Sequence, residues 1–358
     1  MGKVSRVTSN RVCGLDLGDK TSFLCICSAS GEVEESYRVK TSAAGLAVRL
    51  EGVEPMRIAL EAGAQSPWVS RLLSQWGHDV VVANARKVRL IGNSRKKTDR
   101  IDAQSLADLV SVRPRLLHPI EHVSLQAQAD RSVLRSRDAL VRTRSGLISH
   151  ARGLVKAMGG RLPSCSAESF AQKAAAAVPA SLSCALEPIL KVVAELTTTI
   201  RSYDRQIQQL ATRYPLSQRL RQVSGVGPIT SLAYLLALGE EPQRFVHSRQ
   251  VGAYFGLVPA QRSSGDSKPQ LRISKEGNPY VRRLLVQCAH YILGPFGQDS
   301  DLRRWGLGLI QQGGKGAKKR AAVAIARKLS VLLHRLLVTG QPYEALRRGD
   351  SGEVQKVA

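Results

Sequence analysis

Apolar repeats of seven residues in the middle of the chain are the feature that most limits its fold. They predict two long helices, joined by residues 159–179 as a helical hairpin. The sequence leaves open whether this hairpin is a spacer within one chain or a dimerisation arm between chains. The second helix has one apolar seam with spacings of four and three (Ile189, Val193, Leu196, Ile200, Tyr203, Ile207, Leu210). The first has two apolar columns (Val133, Leu140, Leu147, Leu154 and Leu134, Val141, Ile148, Val155) and arginines predicted on its other faces (Arg131, Arg135, Arg137, Arg142, Arg144, Arg152).

Before the hairpin, short alternating segments predict an α/β domain. Three antiparallel strands come first, followed by alternating helices and strands, which is the order of an RNase H-like sheet. After the hairpin the pattern is mostly helical. We therefore expect three regions: an RNase H-like domain over 1–115, a helical coiled-coil linker over 116–214 and a mostly α domain over 215–358. The strands are predicted at 12–17, 23–28, 32–39, 57–60 and 79–83, and the helices of the first domain at 43–50, 68–76 and 99–110.

The charge of the chain points to a polyanionic partner. The chain has 53 Lys and Arg but only 28 Asp and Glu, which gives a formal net charge of +25. So many positive charges repel one another unless a polyanion neutralises them. Nucleic acid is the expected partner. The charges are spread over several segments instead of one amphipathic helix, which disfavours a membrane-surface protein. The N-terminus lacks the apolar stretch of a signal peptide, and the six cysteines show no CxxC pairing, so we expect a reduced protein that is not exported.

Acidic side chains stand out in a chain this basic. Asp16 interrupts the first strand in VCGLDLGDK, and Glu61 ends the fourth in RIALEAGAQ, so adjacent central strands would bring them together. Asp99 and Asp102, three residues apart in KKTDRIDAQSLADL, project from one helix face. Each acid alone fits a cap, a strand end or a helix N-terminus. Together they predict a site for two Mg²⁺ ions, with Mn²⁺ as a substitute, because divalent ions of this kind prefer oxygen ligands.

A serine-rich loop in the last third of the chain raises a second question. In PAQRSSGDSKPQLRISKEGN, Ser263 and Ser264 are surrounded by Arg262, Lys268 and Arg272. Serine beside cations is typical of a polar turn. It also suits a hydroxyl held against a phosphate. A serine needs a base or a metal to act as a nucleophile at neutral pH.

Further cations and glycines are candidates for phosphate contact, each with a plain alternative. Solvated surface charge explains the basic residues equally well, and a tight connector between helices explains the glycines of GVGP as well as a helix-hairpin-helix turn does. The candidates are Arg95, Lys96, Lys97, Gly225, Gly227, Arg282, Arg283, Lys318 and Lys319.

At these motifs the chain resembles insertion-sequence transposases of the DEDD type, the family numbered 110 in the insertion-sequence series, to which the Piv-type DNA invertases are related. The likeness covers nearly the whole length. It includes KTDRIDAQSLADL near the start and VSGVGPITSLAYLLALGE, RFVHSRQVGAYFGLVPAQRSSG and RISKEGNPYVRRLLVQCA near the end. The resemblance implies a domain similar to Holliday-junction resolvases, with the D-E-D-D set on Asp16, Glu61, Asp99 and Asp102. It also implies an active serine just before the glycine of the SG pair, Ser264, with Ser263 ranked second.

The same resemblance implies a composite site, in which the acidic domain of one protomer meets the serine of another. It implies a homo-oligomer on DNA, a dimer or tetramer, guided by a structured non-coding RNA, in the prokaryotic cytoplasm at the nucleoid. We therefore expect a transposase that cleaves and rejoins DNA through a metal-assisted phosphoserine. The alternatives are a metal-dependent junction nuclease that uses water and a non-catalytic nucleic-acid-binding scaffold.

Overall fold

A computed structural model describes residues 9–28, 30–85, 98–239, 241–262, 269 and 271–347. The chain divides into two compact units, Met1–His122 and Val123–Ala358. No helix in the described ranges is both long enough and apolar enough to cross a membrane.

The first unit contains the predicted mixed sheet of five strands. They are β1 (Val12–Asp16), β2 (Thr21–Cys27), β3 (Val33–Lys40), β4 (Arg57–Glu61) and β5 (Asp79–Ala83). The spatial order is β3-β2-β1-β4-β5, with the first three strands antiparallel and β4 and β5 parallel to β1. This confirms the predicted RNase H-like order, and it makes β1 and β4 adjacent central strands.

Helices cover both faces of this sheet. On one face, α1 (Ala43–Leu50) and α2 (Ser66–Gln75) pack against a core that includes Leu15 and Leu60. On the other face lies α3 (Asp99–Val112), which packs on small residues, including Ala59 of β4 and Cys25 of β2. Because side chains alternate along a strand, this assignment fixes the face on which every β1 and β4 residue lies.

The second unit is mostly helical, as predicted. A core that includes Tyr234, Phe255, Leu285 and Leu329 fills the space between its C-terminal helices. The helices are α4 (Leu125–Ala157), α5 (Phe170–Ala175), α6 (Ser183–Thr212), α7 (Pro215–Leu220), α8 (Pro228–Leu238), α9 (Arg249–Tyr254), α10 (Pro279–Leu293), α11 (Asp301–Gln311) and α12 (Ala317–Thr339).

The long helices α4 and α6 form an antiparallel hairpin within one chain. Val155 packs near Leu186 at one end of the hairpin, and Leu134 packs near Leu210 at the other. The buried seam of α6 differs from the apolar seam expected from the sequence. Its inner residues repeat with the same heptad period but include one polar side chain, Thr197 (Leu186, Leu190, Val193, Thr197, Ile200, Ile207, Leu210, Ala211).

Two arginines of α4 explain this difference. Arg144, expected on an outer face, is only 5% exposed and donates to Thr197 Oγ1 at 3.2 Å. Arg137 donates to Asp204 at 2.6 Å. The polar positions of α6 therefore face α4 because an arginine satisfies each of them, and buried polar groups need such partners. The prediction that these two arginines lie outside the helix contact was wrong.

The division into two units places the hairpin with the C-terminal helices. Ala127 and Leu134 of α4 belong to the same core as α8. Residues just after the predicted boundary at 115 belong to the first unit, because Ile120 N donates to Val82 O at 2.9 Å and Asn84 N donates to Leu117 O at 2.9 Å. The three-region division stays a prediction.

Candidate active site

Asp16 and Glu61 lie at corresponding ends of two neighbouring parallel strands. Leu15 of β1 is paired with Leu60 of β4, so the two acids are the next pair in the same register. Gly14 and Ala59, two residues earlier, lie on the face covered by α3. Since side chains alternate, both carboxylates lie on that face, and both residues are partly buried.

A very close contact between α3 and the sheet occurs beside this pair. A Cβ built on Gly14 would lie 1.9 Å from the carbonyl oxygen of Ala103 and 2.6 Å from the amide nitrogen of Ala107, both backbone atoms of α3. Only glycine permits such an approach. Asp102 precedes Ala103 directly, and Asp16 follows Gly14 on the same face of β1. The crossing point therefore brings these two acidic positions to one region of the unit.

Two buried thiols of β2 lie beneath α3. Burial raises the pKa of the Cys27 thiol to about 12, with the Cys25 and Asp108 charges adding to the rise. Burial also raises the pKa of Cys25, where the Cys27 hydrogen bond opposes the rise, the Asp108 charge adds to it and the Arg100 charge opposes it. Cys25 lies opposite Gly14, whereas Cys27 lies opposite the start of β1. Both thiols share a buried cluster with Ala103 and Ala107, so the first half of α3 lies over β2 as well as over Gly14 of β1.

The first turn of α3 is shaped by its own sequence. Thr98 caps the helix, and its Oγ1 accepts a hydrogen bond from Ile101 N at 3.3 Å. Asp99 and Asp102 follow in the first turn, where the helix dipole favours negative charge. The helix-terminus explanation therefore holds for both acids. It is compatible with a metal site, because Asp102 directly precedes Ala103, whose backbone contacts Gly14 of the strand that carries Asp16.

The four acids fit divalent metal in the chemistry of their donors. All are carboxylates, the ligands that Mg²⁺ prefers, and β1, β4 and α3 carry them to one side of the sheet. Within the ranges that the structure describes, however, no three His, Cys, Asp or Glu side chains are grouped closely enough to hold a metal ion. Repulsion between like charges favours such a separation. The assignment of these four residues as metal ligands stays a prediction.

In the second unit, the described residues on either side of the serine segment form a short antiparallel neck. Pro259 and Ile273 form an isolated bridge, and Ala260 N donates to Arg272 O at 2.9 Å. A Cβ on Gly277 would lie 1.9 Å from Tyr254 O, so only glycine allows the backbone after the neck to pack this closely on Tyr254. Arg262 and Arg272 are exposed on the two sides of the loop.

Several predicted contacts fall outside the described residues. They are Arg95, Lys96, Lys97, Ser263, Ser264 and Lys268. Their assignment stays a prediction made from the sequence.

The structure gives other predicted contacts a role in the fold. Arg282 donates to the carbonyl oxygens of Phe255 and Glu276, each at 2.8 Å, and Arg283 is paired with Asp138 of α4. Both arginines therefore tie segments of the second unit together, and their contact with phosphate stays a prediction.

The two glycines of GVGP differ in their surroundings. A Cβ on Gly225 would lie 2.9 Å from the Tyr291 ring, so this glycine allows close packing on α10. Gly227 is exposed and precedes α8, and a Cβ added there would meet nothing within 4 Å. The first glycine therefore acts as a helix connector, whereas the second leaves the start of α8 accessible.

The two lysines at the start of α12 also differ. Both Lys318 and Lys319 are exposed, but only Lys319 lines a wide groove in the second unit. Three residues of this groove, Trp305, Arg335 and Arg347, were not among the predicted contacts. Arg335 had a detectable signal, because it follows Lys328 by seven residues and so lies on the same helix face.

Comparison with known proteins agrees with this geometry. Residues 13–159 match the model of the DEDD transposase domain of the IS110 type, a domain that depends on metal ions. Residues 217–298 match the model described as Transposase IS116/IS110/IS902 family. A probable family 20 transposase of Pseudomonas aeruginosa is 32% identical over 292 residues, 79% of this chain and 84% of its own.

Two further relatives are transposases of named insertion sequences. The transposase for IS1328 of Yersinia enterocolitica is 30% identical over 324 residues, 88% of this chain and 93% of its own. The transposase for IS1111A of Coxiella burnetii is 28% identical over 343 residues, 93% of this chain and 91% of its own. The chain therefore belongs to the IS116/IS110/IS902 family of transposases, the enzymes that bind DNA and catalyse its transposition.

Proposed function

We propose that this transposase cleaves and rejoins the DNA strands of its own mobile element through a phosphoserine on Ser264. The observation that supports this most is the placement of Asp16 and Glu61 in register on adjacent strands, on the face covered by α3. Carboxylates on one face of the sheet suit the binding of divalent ions, which a strand-cleaving enzyme uses and a DNA-binding scaffold does not need.

The bond changes are those of a transesterification. The hydroxyl oxygen of Ser264 bonds to phosphorus while the bond from phosphorus to the leaving deoxyribose oxygen breaks, and the serine proton passes to that oxygen. A strand hydroxyl then attacks the phosphoserine, and the serine oxygen leaves with a proton. Each step exchanges one phosphate ester for another, so rejoining needs no ATP.

Asp16, Glu61, Asp99 and Asp102 are the residues that would hold two Mg²⁺ ions, for which Mn²⁺ can substitute. When bound, such ions polarise the scissile phosphate and lower the cost of losing the serine proton. Arg262, Lys268 and Arg272 are placed in the sequence around Ser264 to stabilise charge on the phosphate oxygens.

We also propose that the active form is a dimer or tetramer. Each helix of the hairpin has a column of inner residues that face the other helix. Because the two helices are antiparallel, the residues that directly precede these inner residues lie on one common side of the hairpin. These positions are apolar and partly buried, so they leave an apolar face along the hairpin that suits a second copy (Leu140, Leu147, Leu154, Ile189, Leu196, Tyr203). An oligomer would allow the acids of one protomer to meet the serine of another.

The remaining parts of the proposal are a structured non-coding RNA that guides target choice and a site of action at the nucleoid of a prokaryotic cytoplasm. The resemblance and the net charge of +25 support both. We expect co-purification of the active protein with such an RNA.

Covalent trapping tests this function. The protein is incubated with Mg²⁺, RNA and labelled DNA that carries the element ends, denatured, and examined for DNA attached to protein. We expect the adduct with the parent protein and with Ser263→Ala, and its loss with Ser264→Ala. Cleaved DNA without an adduct in the parent would instead indicate a nuclease that uses water. Unchanged DNA transactions in Asp16→Asn and Asp102→Asn would indicate a non-catalytic scaffold.

A further inference from the structure

A wide groove runs through the second unit beside the neck of the serine loop. Its volume is about 1500 Å³, larger than the roughly 300–1,000 Å³ of sites for one small molecule. One wall is a face of α12, and another includes Trp305 of α11. Pro259, Arg272 and Ile273 of the neck line the groove as well.

Cations dominate this groove. The two acids that line it, Asp301 and Glu344, are both engaged with Arg347: Asp301 Oδ2 accepts from the Arg347 amide at 3.0 Å, and Glu344 lies 3.4 Å from the guanidinium. A surface with such an excess of one charge is complementary to a polyanion. The cationic side chains are Arg249, Arg272, Lys275, Lys315, Lys319, Arg320, Arg327, Lys328, Arg335 and Arg347.

The groove also has an apolar surface, which a site for phosphates alone would not need. Leu257, Val323 and Leu332 line it together with Trp305. The Trp305 residue is 37% exposed, and the Lys328 ammonium lies 3.7 Å from its ring centroid, a cation–π contact that holds the indole in place. Unpaired bases present π faces to such a ring, whereas a duplex keeps its bases stacked inside.

The neck connects the groove to the proposed reaction. Arg272 and Ile273 pair with the chain on its way into the serine loop, and Ser264 follows the exposed Arg262 by only two residues. A strand lying in the groove therefore contacts the neck, which is only a few residues along the chain from Ser264. The nucleic acid that is cut there is DNA, which favours DNA over RNA as the occupant.

We propose that this groove binds the unpaired DNA strand next to the cleaved phosphodiester, with Trp305 stacking on a base and the cations of α12 contacting phosphates. This inference rests on the proposed function, because it takes the serine loop as the site of cleavage. It adds a single-strand site with a named stacking residue.

Binding measurements on the full chain test the groove without requiring catalysis. All variants carry Ser264→Ala, and fluorescence anisotropy reports binding of a labelled 12-nucleotide DNA strand, its duplex and the RNA strand of the same sequence. We expect Trp305→Ala to weaken binding of the DNA strand about 5- to 150-fold, the range for loss of one base stack. Trp305→Phe should retain most of the affinity.

Matched controls separate the groove from the rest of the surface. Phe296 is 79% exposed and lies outside the groove lining, so Phe296→Ala should leave the affinity for the DNA strand unchanged. Lys319→Gln should weaken binding and reduce the slope of log affinity against log salt by about 0.7, the value for one phosphate of a single strand. Lys318→Gln, next to it but outside the groove lining, should have the smaller effect.

Several results would overturn the inference. These are equal affinity of Trp305→Ala and its parent for the DNA strand, equal effects of the two lysine variants, and stronger Trp305-dependent binding of RNA or duplex. Thermal melting of each variant shows that it is folded. If the parent protein, with Ser264 intact, forms no covalent adduct in the trapping assay while strand binding still depends on Trp305, the phosphoserine mechanism is contradicted and the groove assignment is retained.

Discussion

Replacing Gly14 with alanine tests the contact between α3 and β1, on which the acidic site depends. The new Cβ would lie 1.9 Å from the Ala103 carbonyl oxygen, whereas an ordinary contact needs about 3.4 Å. The neighbouring atoms are backbone and cannot rotate away. The helix must therefore withdraw by roughly 1.5 Å, and Asp102 moves with it relative to Asp16.

Two consequences follow from this displacement. Overpacking a close contact costs about 1–3 kcal/mol, so the melting temperature should fall. A misplacement of about 1 Å in a catalytic group can cost roughly 100-fold in rate, so we expect Gly14→Ala to cleave DNA at least about 100-fold more slowly at saturating Mg²⁺. The assay is single-turnover cleavage of labelled element-end DNA, with thermal melting of the same samples.

A second glycine provides a control, because its replacement with alanine should raise stability instead of lowering it. Gly146 lies in α4, is exposed, and has nothing within 4 Å of a Cβ position. Gly146→Ala should raise stability by up to about 1 kcal/mol through helix propensity and leave the cleavage rate unchanged. If Gly14→Ala cleaves DNA like the parent and melts no lower, the close packing of α3 does not position the acids and the reasoning is refuted.

Three further outcomes are expected. Burial raises the pKa of Asp108, so the fold disfavours the charged form of this carboxyl. Asp108→Asn should therefore raise the melting temperature at pH 7. The gain should vanish near pH 3, where the parent carboxyl is protonated in both the folded and the unfolded protein. The pKa of Glu168 is lowered by a hydrogen bond from its own backbone amide and by the charge of Arg144. Ionised Glu168 therefore stabilises the folded protein above the pKa of the unfolded state, about 4.3. This stabilisation is lost as the pH falls through the lower pKa of the folded state. Glu168→Gln should therefore flatten the loss of thermal stability below pH 5, and parallel melting curves for variant and parent would contradict this. Leu196→Glu on the apolar hairpin face should lower the mass measured by light scattering. Thr198→Glu should not, because Thr198 is exposed and follows the inner Thr197, which places it on the other side of the helix. Equal masses for the two variants would argue against that interface.

The first unit was largely predictable because its signals are local. Alternation and turn residues located all five strands within a few residues, and hairpins followed by βα repeats fixed their order. The prediction that Asp16 and Glu61 end adjacent strands followed from that order. The Gly14–Ala103 contact did not, because nothing in a sequence shows which glycine meets a helix backbone.

The hairpin shows where hydrophobic periodicity misleads. The period was right, but the inner column of α6 includes Thr197, and the facing column of α4 includes Arg144. A polar residue is assigned to the surface when its partner, 53 residues away, is unknown. The groove was unpredictable for the same reason, since residues from Arg249 to Arg347 form it.

The most direct test of the central claim is mass spectrometry of the trapped adduct after digestion with nuclease and protease. The account predicts a nucleotide ester on Ser264 in the parent protein and in Ser263→Ala, and no ester on any residue in Asp102→Asn. An ester on another side chain, or an undiminished ester on Ser264 when Asp102 is replaced, would contradict a reaction centre shared by the serine and the acids.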